Sequence, residues 1–503
     1  MFVRRKKNKS GVISVQIIDK SSGSYRVLHT IGSSADDVEV ERMIQEGKTW
    51  ILRQSQAVEL DFTNYRQQTE QIIDGIEQLT LSGGEHLLGG IFDQIGFNKI
   101  KDTLFRQLVI CRLLYPVSKL KTTDWISKYQ QLNIDVERVY RYLDKLYNHQ
   151  KETVQQVSYE HTLKVLGGQI QIVFYDVTTI YFEAESEDEL RRAGFSKDGK
   201  HRNPQIVLGL LVGIRGYPLA YEIFEGNKFE GHTMLPVIEH FKGKYKVESL
   251  VVVADAGLLS RENVQLLQQK GYQYILGAKI KTEGEAVKQQ IWALNLRNGA
   301  TALIEKDKDT KLIISYSETR ARKDAHNRKR GVEKLQKQLK SGKLTKQNIN
   351  NRGYNKFLEL QGEVQLDINQ EKIEEDKKWD GLKGYITNTT LSNDQVIENY
   401  KQLWQIEKAF RIAKTDLRIR PIYHRLQKRI EAHICISFAA YKVYKELERQ
   451  LQENKAGISA EKAIAIAKTI FTIKIVHPIS GDTISKTLIL TEEQRTLANL
   501  FKF

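Results

Sequence analysis

The spacing of apolar positions divides the first third of the chain into two regions. Residues 11–18 and 25–31 alternate between apolar and polar positions and flank the turn-forming run Asp19–Gly23, which predicts a small hairpin after a basic arm. From residue 36 to about residue 165 the apolar positions recur every three or four residues, which predicts a helical domain. Short helices with basic faces suit a DNA-reading module, but a plain packed helical domain shows the same pattern.

At Gln169 the pattern changes to short apolar runs that are typical of buried strands. Five such runs are Gln169–Tyr175, Gln205–Ile214, Tyr217–Phe224, Ser249–Ala254 and Tyr272–Ile280. The first run is followed by Asp176 and the fourth by Asp255, while Arg215 and Gly216 predict a tight turn between the second and third. The pattern therefore predicts a mixed α/β sheet that is buried on both faces, with acids at strand ends, where such sheets place their sites.

The next hundred residues interrupt this sheet. Thr301–Glu305 and Lys311–Ser317 predict a hairpin, and Arg320–Lys346 then holds 11 Lys and Arg against 2 Asp and Glu, a net of 11 − 2 = +9. The apolar positions of this segment have a helical period, which predicts a helix. Its positive charge is either solvated on a helical arm or in direct contact with phosphates. The candidate DNA contacts in this arm are Arg328, Lys329 and Arg330.

Two further helices are predicted near the carboxyl end. Ser392–Lys414 has the pattern of one amphipathic helix, with Ser392 as its N-cap. A second helical pattern runs from Gln427 to about Gln452, and the tail beyond it carries short β-like runs.

Composition narrows the classes of function. The 503 residues include 78 Lys and Arg against 62 Asp and Glu, a net charge of +16 that favours a polyanionic partner. The two cysteines lie far apart, which excludes a zinc-finger framework and disfavours a disulfide scaffold. Neither a signal-peptide core nor a membrane-length apolar stretch is present, so we expect a soluble cytoplasmic protein without a membrane partner.

Three acids are the candidate catalytic and metal-binding residues: Asp176, Asp255 and Glu407. Carboxylates without a His or Cys cluster favour magnesium or manganese, and three of them can hold two ions for phosphoryl transfer. Alternatively, an Asp that ends a strand is a turn or helix-cap residue. Paired carboxylates also suit glycoside hydrolysis, but that chemistry leaves the positive charge unused.

The predicted helix around Glu407 supports the phosphoryl-transfer interpretation. Helical spacing places Tyr400, Arg411 and Lys414 on the same face as Glu407, where they are candidate DNA contacts. Trp404 and Phe410 flank these positions and are expected to be core residues rather than base-stacking groups.

These blocks resemble a known family. The segments YDVTTIYFE and VVVADAGLLS, together with the helix around Glu407, resemble the catalytic blocks of DDE transposases of the IS4-like group, closest to the IS1634-type insertion-sequence transposases. The group's signature Y-x2-R-x3-E-x6-K corresponds to Tyr400, Leu403 in place of Arg, Glu407 and Lys414. The resemblance runs from about residue 90 to residue 445.

The resemblance implies an RNase H-like catalytic core, a mixed five-stranded sheet with flanking helices, interrupted by an inserted subdomain. The implied domains are 1–35, a basic arm and hairpin; 36–165, a helical DNA-end-binding domain; 166–280 and 385–450, the two parts of the core; 281–384, the insertion; and 451–503, a tail.

The implied activity is that of an insertion-sequence transposase. It would bind terminal inverted repeats, cleave a DNA strand and join the 3′-hydroxyl to target DNA with two Mg²⁺ or Mn²⁺ ions, as a homodimer in the synaptic complex and associated with the nucleoid when DNA-bound. Two alternatives remain, a stand-alone metal-dependent endonuclease and a catalytically inactive, transposase-derived DNA-binding protein.

Overall fold

The computed structural model describes residues 1–55, 65–183, 186–196, 199, 201–344, 348–350, 353–361, 365–477 and 481–503. The chain folds as two compact units, one of Met1–Glu77 with Lys474–Ser485 and one of Gln78–Ile473 with Lys486–Phe503. In the described part of the chain, no helix combines the length and the apolar character needed to cross a bilayer.

The smaller unit is a three-stranded antiparallel sheet with helices. Its elements are β1 (Phe2–Lys7), β2 (Ile13–Asp19), β3 (Arg26–Ser34), α1 (Asp37–Ser55) and α2 (Tyr65–Asp74). The predicted hairpin is the β2–β3 pair. The predicted basic arm is instead a strand, because Phe2–Lys7 pairs along its whole length with β2. Val15 packs against Val40 and Ile44 of α1 to form the core.

The larger unit contains only the later part of the region predicted as one helical domain, because α1 and α2 belong to the smaller unit. Its first elements are β4 (Ile76–Leu81), α3 (Gly90–Ile95), α4 (Thr103–Leu114), α5 (Lys119–Gln130), α6 (Val136–Lys145) and α7 (Lys151–Val165). Asp102, Ser118 and Asp135 cap α4, α5 and α6 by accepting a hydrogen bond from a backbone amide of the first turn.

A mixed α/β sheet of eight strands follows. The elements of this region are β5 (Ile172–Tyr181), β6 (Gln205–Val212), β7 (Pro218–Glu225), α8 (Met234–Tyr245), β8 (Val251–Ala254), α9 (Arg261–Gln269), β9 (Gln273–Ala278), α10 (Glu285–Ala293), β10 (Thr301–Asp307), β11 (Thr310–Tyr316), α11 (Glu318–Lys340), β12 (Leu358–Gln361), β13 (Gln365–Ile368), α12 (Gln370–Lys377) and β14 (Leu382–Thr387). The strand order is β10-β11-β14-β9-β8-β5-β6-β7. Strands β5, β8 and β9 are parallel, and the other pairs are antiparallel.

The sheet is wider than the five strands predicted. The five predicted runs are present as β5 to β9, and the turn between β6 and β7 places Arg215 and Gly216 at positive φ, 63° and 76°. The hairpin β10–β11, assigned from the sequence to the insertion, instead extends this sheet through β14. Strand pairing between distant segments is not encoded in local periodicity, so the sequence pattern did not reveal the extension.

The remaining elements cover the sheet and continue the chain. They are α13 (Asn393–Lys401), α14 (Trp404–Thr415), α15 (Gln427–Glu453), α16 (Ala460–Ala467), β15 (Phe471–Val476), β16 (Thr483–Leu488) and α17 (Glu492–Phe501). Strands β4, β15 and β16 form a separate sheet in the order β16-β15-β4. The helix predicted from Gln427 is confirmed as α15.

The single helix predicted over Ser392–Lys414 is wrong, because the chain forms two helices there. Ser392 caps the first of them with a capping box, as predicted. The amides of Gln402 and Leu403 then bond three residues back, to the carbonyls of Asn399 and Tyr400, which tightens the backbone and separates α13 from α14. Leu403 is only 7% exposed, so its burial anchors the break.

The two faces of the large sheet pack against different helices. We define the front face as the one that carries Phe174 and Val253, whose core includes Ile406 of α14 and Phe438 of α15. On the opposite face, Val173 and its neighbours pack with α8 and α9. The candidate acids lie on the front face.

Candidate active site

Asp176 and Asp255 lie side by side on the front face. Strands β5 and β8 are parallel, with Phe174 opposite Val253 and Tyr175 opposite Ala254. One step further along the same register brings Asp176 beside Asp255, and neighbouring strands are only about 4.8 Å apart. Both side chains point to the front face because they follow Phe174 and Val253 by two residues.

Asp176 does not end its strand, contrary to the prediction. Strand β5 continues to Tyr181, because Thr178 and the residues around it pair with β6. Asp176 is half-buried, and its Oδ1 accepts a hydrogen bond from the amide of Val177 at 2.7 Å. The carboxylate therefore projects from the middle of a rigid strand, where its backbone is fixed on both sides.

Asp255 follows its strand directly, as predicted, and is exposed. Its Oδ1 accepts hydrogen bonds from the amides of Gly257, at 2.7 Å, and Leu258, at 3.3 Å. A Cβ at position 257 would lie 2.9 Å from this oxygen, so glycine lets the chain fold back over the carboxylate. The carboxylate is thereby held in one orientation while it faces solvent.

Glu407 reaches the front face from the helix that covers it. Helix α14 packs against β5, with Ile406 and Phe410 in the front-face core and Glu407 exposed in its first turn. Asp255 and Glu407 both act electrostatically on the Tyr400 phenol, so both acids lie near that side chain.

Tyr400 belongs to α13 and not to the helix of Glu407. Its hydroxyl lies over Gly277, where a Cβ would collide with it, and continuing the β8–β9 register brings Gly277 beside Asp255. Burial and the negative charges of Asp255 and Glu407 raise the pKa of Tyr400. The phenol therefore stays protonated and can donate a hydrogen bond in this acidic setting.

One cation that the sequence analysis did not single out lies beside Tyr400. The Nζ of Lys383, on β14, lies 4.3 Å from the centre of the Tyr400 ring. Burial and the nearby Arg320 lower the pKa of Lys383, and Glu407 opposes that shift. No local pattern marks Lys383, because only the pairing of β14 with β9 brings it to the acids.

The predicted helix face is confirmed in part. Arg411 and Lys414 follow Glu407 by four and seven residues on α14; Arg411 is exposed and Lys414 is half-buried. Tyr400 does not share this face, because the helix breaks before Leu403. Trp404, expected in the core, is 52% exposed, whereas Phe410 is buried as expected.

Arg328 of the basic arm is not placed to contact DNA. It is 6% exposed, and both ends of its guanidinium group bond the carboxylate of Asp380. This bidentate bond is the main cause that raises the pKa of Arg328. Its neighbours Lys329 and Arg330 are exposed on α11, so the DNA role predicted for those two stays a prediction.

The acids do not converge on a preformed metal site. Within the described residues, no group of three or more His, Cys, Asp or Glu side chains is arranged to hold a metal ion. The oxygen donors fit magnesium or manganese in their chemistry, and the adjacent positions of Asp176 and Asp255 suit two ligands of one ion.

The comparisons with known proteins identify the family. Residues 167–442, more than half of the chain, match the family model described as the transposase DDE domain. The chain therefore belongs to the transposase DDE domain family. Among solved structures it is similar to a piggyBac transposase in a synaptic complex with hairpin DNA, with 8% identity, 80% of this chain and 79% of that chain covered, and a TM-score of 0.39. No curated protein matches this chain.

Proposed function

We propose that this member of the transposase DDE domain family is an insertion-sequence transposase of the IS4-like group, closest to the IS1634 type. It binds the terminal inverted repeats of its element, cleaves a DNA strand there and joins the 3′-hydroxyl to target DNA. The observation that carries this proposal is the parallel pairing of β5 with β8, which sets Tyr175 opposite Ala254, the residues directly before Asp176 and Asp255, within the segment that matches the family.

The order of the central strands supports an RNase H-like core for this activity. Strands β7, β6 and β5 are antiparallel, and β8 and β9 continue from β5 in parallel, which gives the mixed five-strand unit that the resemblance implies. In this proposal, α11, α12 and the β12–β13 hairpin form the inserted subdomain, which has a small core of its own around Leu335 and Phe357.

The proposed cofactor is a pair of Mg²⁺ or Mn²⁺ ions. Asp176, Asp255 and Glu407 would hold these ions. When bound, the ions would activate the attacking hydroxyl and stabilise the leaving oxygen of a phosphodiester. The hydrogen bonds from Gly257 and Leu258 would keep the Asp255 carboxylate directed at its ligand position.

The residues around the acids would hold the DNA. Arg411 and Lys414 extend from Glu407 along α14 and would contact phosphates, as would Lys329 and Arg330 on α11. Tyr400 would donate its hydroxyl to a phosphate oxygen beside Asp255. Lys383 would add positive charge at the point where the transition state gains negative charge.

The proposed function also implies an assembly and a role for each domain. Joining two element ends requires two active sites, so we propose a homodimer in the synaptic complex, in the cytoplasm and at the nucleoid. Residues 36–165 would recognise the element ends, and residues 166–280 with 385–450 would carry the catalytic core.

A product analysis tests this function against its two alternatives. Purified protein is incubated with Mg²⁺, a duplex that carries the element's end and a supercoiled target plasmid. A transposase gives cleaved ends and joined products, both of which disappear when EDTA is added. Cleavage without joining would identify an endonuclease, and DNA binding without cleavage would identify an inactive derivative.

A further inference from the structure

A cavity of about 590 Å³ lies within the larger unit, away from the acids. It is formed by the start of α5 together with the segment that joins α14 to α15. The residues that line it are Arg112, Pro116, Val117, Ser118, Lys119, Leu120, Lys121, Tyr140, Arg418, Arg420, Pro421, Tyr423, His424 and His433. Its volume is in the range of small-molecule sites.

The charge of this cavity is entirely positive. Five of its lining residues are Lys or Arg, and among the described residues that line it none is Asp or Glu. Asp144, one turn after Tyr140 on α6, is engaged by Arg429 at 3.0 Å and by Lys428 at 3.3 Å, so its charge is already neutralised.

Two of the cations are buried without a counter-charge. Arg112 and Lys119 are each 4% exposed. Arg112 donates a weak hydrogen bond to the carbonyl of Leu417 at 3.4 Å, and Lys119 has no ion pair or side-chain hydrogen bond with any residue that the structure describes. Burial lowers the pKa of Arg112 to about 10 and holds that of Lys119 well below its usual value.

An uncompensated buried cation costs free energy that an anion would recover. The amino end of α5, a helix of 12 residues capped by Ser118, adds its positive potential to the same cavity. Buried cations without a counter-charge cost free energy of folding, and these two line a cavity of this size. Such an arrangement is expected of a site that binds an anion.

The position of the cavity points to DNA as the source of the anion. Arg420, in the lining, lies over the ring of Tyr181 at 5.6 Å, and Tyr181 ends β5, the strand that carries Asp176. Five residues of strand span about 17 Å. A DNA strand covers that distance in about five nucleotides.

We propose that this cavity binds a backbone phosphate about five nucleotides along the DNA strand from the phosphodiester that lies at Asp176 and Asp255. This assignment rests on the proposed function for its source of phosphate. The phosphate replaces the missing counter-charge of Arg112 and Lys119, so binding of DNA and stability of the larger unit are coupled.

Thermal unfolding in inorganic phosphate and in chloride at equal ionic strength tests the anion site. We expect phosphate to raise the melting temperature of the wild type by several degrees. Lys119→Met should raise the melting temperature in chloride, since it removes a buried charge, and should lose the shift with phosphate. Lys121→Gln, an exposed lining position, should reduce the shift without a folding penalty, and Lys128→Gln, exposed on the same helix outside the cavity, should keep it.

DNA binding by the same variants tests the source of the phosphate. The probe is a duplex of the element's end with a single-stranded 3′ extension, and the readout is the slope of log Kd against log salt. Lys119→Met and Lys121→Gln should each lower the slope by about one unit, and Lys128→Gln should leave it unchanged.

The outcomes separate the possible failures. A phosphate shift with unchanged DNA slopes would mean that the cavity takes a free anion, which overturns the assignment to DNA. No phosphate shift and no change in slope would overturn the anion site. The salt slope could fall in Lys119→Met and Lys121→Gln while the wild type neither cleaves nor joins DNA. That result would support phosphate binding in the cavity and refute the proposed function.

Discussion

At the scale of single residues, the proposed site depends on the glycine at position 277, which has no side chain, as much as on the acids. Gly277 leaves the space above β9 in which the Tyr400 hydroxyl sits. Tyr400 also packs edge-to-face against Tyr385, with ring centres 4.9 Å apart. The contact couples α13 to β14 of the large sheet.

Gly277→Ala should therefore displace Tyr400. We expect a loss of about 1–3 kcal/mol in the free energy of unfolding, since the new methyl group overpacks this contact. Tyr400→Phe in the same chain should restore most of the stability, because it removes the hydroxyl that collides. Gly243→Ala is the matched control, since a Cβ there meets no atom within 4 Å. Equal stability of Gly277→Ala and the wild type in chemical denaturation would contradict this packing.

At the scale of elements, the long helix α11 is attached through the buried Arg328 and Leu335 and has an exposed basic side. Arg328 fixes the helix to Asp380, and Leu335 joins the small core with Phe357. Lys329 and Arg330, next to Arg328 in sequence, face solvent. The helix thus divides structural and candidate DNA-binding roles between adjacent positions.

Substitutions at these positions should separate the two roles. Arg328→Met leaves the half-buried Asp380 without this partner and should cost about 1–3 kcal/mol of stability. Lys329→Gln and Arg330→Gln should leave stability unchanged and weaken DNA binding with a smaller salt dependence. Urea unfolding and fluorescence anisotropy with labelled duplex measure the two effects. If Arg328→Met keeps the wild-type stability but binds DNA more weakly, Arg328 is a DNA contact and its structural role is contradicted.

The interface of α7 with α15 should make stability depend on pH. His161 on α7 lies 3.8 Å from Glu446, and the Nζ of the fully buried Lys442 donates to the carbonyl of Ser158 at 3.0 Å. Burial and Lys442 lower the pKa of His161 from 6.5 to about 4. The unfolded chain therefore takes up this proton at a higher pH than the folded one, and stability falls as the pH drops below about 6.5.

His161→Gln should reduce this dependence, and the part that stays belongs to His424 and His433, whose pKa values burial also lowers. Between pH ~6.5 and ~5 the wild type should lose at most about 1 kcal/mol per pH unit through this residue, after allowance for partial hydration. His326→Gln, exposed on α11, should keep the wild-type slope. Denaturant unfolding at several pH values measures it, and equal slopes in wild type and His161→Gln would remove His161 as the cause.

At the scale of the whole molecule, the sequence predicted what is local and missed what depends on distant pairing. The strands around Asp176 and Asp255, the tight turn at Gly216 and helix α15 follow from periodicity and turn chemistry. The width of the sheet did not follow, because β14 joins β9 over a hundred residues later in the chain.

The limits of prediction at the site have the same cause. Asp176 and Asp255 were found because each follows an apolar run, a local signal. Lys383 was missed because its proximity to Glu407 depends on tertiary packing. Arg328 was misassigned because charge density along a helix does not report which of its residues is buried.

The most direct test of the central claim is the single-turnover rate of Mg²⁺-dependent cleavage of element-end DNA by carboxamide variants. Asp176→Asn, Asp255→Asn and Glu407→Gln should each reduce the rate more than about 100-fold while DNA binding is retained. Glu398→Gln, exposed on α13, is the matched control and should cleave like the wild type. Cleavage at the wild-type rate by either aspartate variant would contradict the claim that these paired carboxylates perform the reaction.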